Sequence, residues 1–91
     1  MRFSPLHQAI RDALALLRVT AGADLADRAE QARRRLAEAV TAVPDAPPRA
    51  LTHIAEADEH LEYGELAEAR RSLTAARRLV PGHLSVVPAR A

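Results

Sequence analysis

The stretch LTHIAEADEHLEYGELAEARRSLTAARRLVPG, Leu51 to Gly82, decides the fold. In its first half Leu51, Ile54 and Leu61 gather at the centre of one apolar face of a helical wheel, and in its second half Leu66, Ala69, Leu73, Ala76 and Val80 make another such stripe. Gly64 stands between the halves, where a residue without Cβ can take the turn that breaks a helix, and Pro81-Gly82 stops the second run. Two amphipathic helices joined by so short a turn must lie antiparallel, so the stretch predicts a helical hairpin over about 47–80.

Working toward the N-terminus, PDAPP (Pro44 to Pro48) is stiff and turn-forming, yet a proline is tolerated in a first helical turn, so the third helix can begin inside it. Before it, Leu25, Ala29, Ala32, Leu36, Val40 and Val43 form the apolar side of a second helix, with Asp24 as a plausible cap and Pro44 as its stop. Ser4-Pro5 reads as the start of a first helix with the stripe Leu6, Ile10, Ala13, Leu14, Leu17, closed by Gly22. These two helices make a first hairpin over about 5–43. The hairpins echo one another: Ala32-x3-Leu36-x2-Ala39-x4-Pro44 has the spacing of Ala69-x3-Leu73-x2-Ala76-x4-Pro81, each with Val before the proline. The expectation is an all-α domain over 1–82, four helices as two antiparallel hairpins, followed by a tail over 83–91 without period.

With 91 residues there is room for one small domain. Apolar residues make up 48% of the chain and aromatic ones only 2%, so Leu, Ile, Val and Ala must fill the core, and alanine favours closely approaching helices. The formal net charge is +1 and all the basic residues are Arg, which gives no global field of the kind that drives nonspecific nucleic-acid binding. Cysteine is absent, which removes disulfides, thiolate metal ligands and thiol nucleophiles. No signal-like or membrane-length apolar run is present, so a cytoplasmic protein without membrane contact is expected.

Residues 53 to 81 resemble a tetratricopeptide repeat, whose pattern is an aromatic-x2-Leu-Gly-x2-aromatic first helix followed by Ala, a large apolar residue and a terminal Pro. Gly64 lies at the inter-helix turn, Leu66, Ala69, Leu73, Ala76 and Pro81 follow at the repeat's spacing, and His53, Glu56, Ala57 and His60 hold its first-helix positions. The resemblance implies that hairpins stacked in that manner would line a concave side with Leu51, Ile54, Asp58, Leu61 and Glu62, able to hold a peptide. Hairpins closed as a bundle would bury the same Leu and Ile residues, and partners would meet the charged faces instead.

HIAEADEH, His53 to His60, invites a metal-site reading. At 1.5 Å rise per residue its two histidines are about 10.5 Å apart along the axis, too far for one ion. Glu56 and His60 can share a metal only with ligands from elsewhere, His7 or a second chain, so no cofactor is expected, with His53, Glu56 and His60 as the candidates of an alternative metal-binding regulator. Both imidazoles sit at the flank of the apolar face, where rings pack and polar edges stay wet. Asp58 falls beside Leu51 and Leu61, and either ends the buried stripe or meets an arginine from another helix.

Charge is polarised along the second hairpin: Glu56, Asp58, Glu59, Glu62, Glu65 and Glu68 come before Arg70, Arg71, Arg77 and Arg78. Arg33, Arg34 and Arg35 fan around about 200° of a helix and make no single patch. An Arg-rich nucleic-acid binder would need Arg33, Arg34, Arg70 and Arg77 on one surface, and no aromatic residue is near to stack on a base. The turn VTAGAD lacks the glycines of a phosphate loop, and Ser4, Ser72 and Ser85 have no local activating base. The expected role is therefore a non-enzymatic protein–protein interaction module or adaptor, with another protein or a second copy of the chain (a homo-oligomer) as partner and Leu51, Ile54, Asp58, Leu61, Glu62, Arg70 and Arg77 as contact residues.

Overall fold

The computed structural model describes residues 3–18 and 24–80, and these form four helices: α1 (Ser4–Leu16), α2 (Leu25–Ala42), α3 (Pro48–Glu62) and α4 (Leu66–Leu79). No strand occurs among the described residues. The stop expected at Gly22, the proline of the Val80-Pro81 end and the tail over 83–91 lie outside them.

Local chemistry explains the helix limits. Phe3 is the N-cap of α1 and no side chain caps it, so Ser4 sits inside the first turn with Pro5 rather than at the cap position expected for it. Asp24 does occupy the N-cap of α2, but its carboxylate turns to Arg28 at 3.6 Å instead of the helix amides. Pro48 opens α3 with Pro47 as its N-cap, where a missing N–H costs nothing. At its other end Gly64 adopts φ +75, and two backbone bonds close the turn: Glu65 N–H donates to His60 O at 2.8 Å and Gly64 N–H to Leu61 O at 3.2 Å. That pair of bonds is the Schellman stop, which satisfies carbonyls the helix would otherwise leave open.

Closest packing joins α1 to α2 and α3 to α4, the two expected hairpins, and these meet through α2 against α3 and α1 against α4. Each helix thus has two neighbours in a closed ring, the arrangement of an antiparallel four-helix bundle. Of the two ways the sequence left open for combining the hairpins, this is the closed bundle. The interior is apolar throughout: Leu6, Ile10, Leu17, Leu36, Leu73 and Val80 are the largest fully buried residues, and no polar or charged residue is buried among those described. More than half of the buried residues are alanine, so a few large side chains supply most of the apolar area removed from water. The internal echo is visible in space, since Ala32, Leu36 and Ala39 are buried as Ala69, Leu73 and Ala76 are, and both helices end on a buried Val C-cap, Val43 and Val80.

Candidate functional site

The closed ring assigns each expected contact residue a place. Ile54 and Leu61 are core residues, 4% and 3% exposed, and Leu51 is partly buried against the same core. None of the three offers the open apolar face that stacked hairpins would present. Asp58 and Glu62 remain at the surface, on the seam where α3 meets α2, and both face Arg33.

Arg33 organises that seam. Its Nε donates to Asp58 Oδ1 at 2.8 Å and its terminal nitrogens reach Asp58 Oδ2 at 3.4 Å, Glu62 at 3.9 Å and Glu30 at 3.7 Å. The hydrogen bond to Asp58 is the main reason the Arg33 pKa is raised above its ordinary value; partial desolvation opposes it, and the fields of Asp58, Glu30 and Glu62 add to it. Asp58 therefore meets an arginine from another helix, one of the two fates open to it.

The histidines turn to separate carboxylates. His53 Nδ1 lies 3.1 Å from Glu56, within α3, whereas His60 Nδ1 lies 2.7 Å from Glu65, across the Gly64 turn. In a Schellman stop the side chains at the positions of His60 and Glu65 commonly make an apolar contact; here an imidazole–carboxylate hydrogen bond replaces it and fastens the same turn. Among the described residues no group of three or more His, Asp or Glu side chains is placed to hold a metal ion.

Across the bundle the α1/α4 seam is different. Arg11, Arg18, Arg70 and Arg77 line a groove of about 470 Å³ whose floor includes Leu14 and Thr74. All four arginines are exposed. Arg70 donates to the Leu17 carbonyl at 3.2 Å, which ties the start of α4 to the end of α1 and places a cation at that helix's negative pole. The side chains of Arg11, Arg18 and Arg77 have no hydrogen-bond or ion-pair partner among the described residues, and no carboxylate among them pairs with Arg70. The groove's single acid, Asp12, accepts from Gln8, which also lines the groove, at 2.9 Å and from Arg35 of α2 at 3.4 Å, so its carboxylate pairs with none of the four groove arginines. A neighbouring cleft of about 620 Å³ shares Leu14, Arg70 and Thr74 and adds Arg71 and Arg78, so the basic surface continues over α4.

Arg70 and Arg77 were legible as contact candidates; Arg11 and Arg18 were missed. The available signal was the spacing, since Arg11 and Arg18 stand one heptad apart, as Arg70 and Arg77 do, and each pair therefore shares a helix face. Arg33 and Arg34, by contrast, lie with Glu30 on α2 and share no surface with Arg70 and Arg77. No helix among the described residues is long and apolar enough to cross a membrane. No family model, curated protein or solved structure matches the chain.

Proposed function

We propose that the chain is a non-enzymatic protein-binding module whose α1/α4 groove receives an acidic surface of its partner. The observation that supports this is the contrast in pairing: the bundle matches Arg33 with acids of its own, yet leaves the arginines of one continuous groove with no ion pair among the described residues, Asp12 beside them being held by Arg35. Exposed like charges held side by side cost a little stability, and an acidic partner relieves that cost while gaining bidentate guanidinium contacts. Leu14 and Thr74 in the floor add a small contact area that is only partly polar.

A photo-crosslinking residue introduced at Thr74 tests this in living cells, with the same residue at exposed Ala37 on α2 as the control. Protein adducts at Thr74 that vanish in an R11E/R77E background are the expected result. Adducts equal at both positions, or adducts removed by nuclease, would overturn the proposal.

A further inference from the structure

We infer that the groove's occupant is an acidic amphipathic helix of another protein, lying along α1 and α4 as an added rod; this rests on the protein-binding reading above. Arg11 and Arg18 are one heptad apart, and Arg70 and Arg77 are one heptad apart on α4, so each wall carries two arginines whose backbone positions are about 10.5 Å apart along the axis. The bond from Arg70 to the Leu17 carbonyl sets the register of the antiparallel helices: Arg18 lies near Arg70, and Arg11 near Arg77. Neighbouring helix axes are typically 8–10 Å apart, so the four bases of these side chains mark a rectangle of about 10 Å on each side.

An incoming helix repeats its own faces at the same interval, as it does in a coiled coil. An apolar residue settles over Leu14 and Thr74, and the acids that flank it, one heptad apart, reach the arginines of both walls. Arg71 and Arg78, again a heptad apart, extend the match on the outer side of α4. An extended strand fits less well, since its same-face side chains recur at about 6.6–6.8 Å. Duplex DNA presents about one charge per 1.7 Å of axis, far denser than these paired cations, and no aromatic residue lines the groove to stack on a base. A second copy of this chain is disfavoured by the ring itself. The acids of α3 that meet Arg33 lie at the α2/α3 seam, on the far side from the groove, and are already engaged by Arg33, so docking them there would need a head-to-tail contact made at the expense of that pairing.

Fluorescence anisotropy with the full chain tests the inference, using a labelled peptide of about 20 residues that carries Glu at heptad spacing on both sides of a Leu stripe. A peptide of identical composition in scrambled order, a duplex DNA of equal charge and light scattering of the chain alone complete the set. The expected result is binding at least about tenfold tighter for the heptad peptide than for the scramble, weakened about two- to five-fold by R11Q or R77Q and unchanged by R34Q. Equal binding of the scramble, tighter binding of the DNA, or self-association that R77E abolishes overturns the inference. If crosslinks at Thr74 still capture proteins while the heptad peptide shows no preference, the helical occupant is wrong and the protein-binding reading stands; if Thr74 captures nothing, both fail.

Discussion

The two seams through which the hairpins meet are built from the same residue type and put it to opposite use. At the α2/α3 seam one arginine, Arg33, is surrounded by Asp58, Glu62 and Glu30, and its charge is spent within the fold. At the α1/α4 seam Arg11, Arg18, Arg70 and Arg77 line a groove whose one acid among the described residues, Asp12, pairs with Arg35 of α2 instead. A near-neutral chain can therefore carry a strongly basic surface, because the net charge of +1 sums unpaired arginines at one seam with acids in excess elsewhere, as at the other seam, where three acids surround one arginine. Composition alone reports only that sum.

Both seams depend on one shared core, and a change there has the largest effect. Leu73 is fully buried in a core otherwise rich in alanine, so Leu73→Ala leaves a cavity that few large neighbours can fill and is expected to cost about 2–5 kcal/mol in urea unfolding. Neither seam should survive as a distinct surface if the domain's total stability is only slightly larger. Gly64→Ala acts on one hairpin alone: nothing lies within 4 Å of the added Cβ, so the cost is the left-handed backbone at φ +75, about 1 kcal/mol, read as a drop in melting temperature.

At the paired seam, Asp58→Ala removes Arg33's principal acceptor. Both side chains are partly exposed, at 31% and 43%, so the expected loss is about 0.5–1 kcal/mol, and the double swap R33D/D58R should recover part of it in a double-mutant cycle. The sign of the pH dependence follows from the raised pKa of Arg33. A cation whose folded pKa is raised contributes stability that is complete below its unfolded pKa and is lost only as pH rises through the folded one. For an arginine both lie above the range in which the domain would be studied, so taking the pH from neutral to about 10 should leave the increment from this pair intact. A measured loss of the Arg33–Asp58 coupling in that interval would contradict the assignment.

Much of this architecture was readable from local sequence, because local chemistry sets it. The stripes of Leu and Ala, the PDAPP turn and Gly64 at positive φ each act over one or two helical turns. Closure into a ring was not readable: stacking and closing bury overlapping sets of residues, and Ile54 and Leu61 are apolar under either. The pairing of Asp58 was half legible, as an acid on an apolar flank needs a cation, though nothing local names Arg33. His60 was placed correctly at a boundary, while its bond to Glu65 depends on the way the chain reverses at Gly64. The groove was the least legible feature, since its walls come from the first and last helices and their matching heptads gain meaning only when α1 and α4 are known to touch.

The smallest expected effect discriminates most sharply between the seams. Arg77→Gln removes an exposed guanidinium with no partner among the described residues, so its stability change should lie within about 0.5 kcal/mol of zero, on the side of stabilisation if repulsion from Arg11 is felt. The same exchange at Arg33 loses a hydrogen bond at 2.8 Å and leaves Asp58, Glu62 and Glu30 close together without a cation, and so must destabilise. Screening sharpens the contrast: at high salt an advantage of Arg77→Gln that arises from repulsion should vanish, while the Arg33 penalty, held by a short directional bond, should persist in part. Equal penalties at the two sites, measured by chemical unfolding at low and high salt, would mean that the α1/α4 arginines are paired after all, and the groove would lose the free charge on which its partner depends.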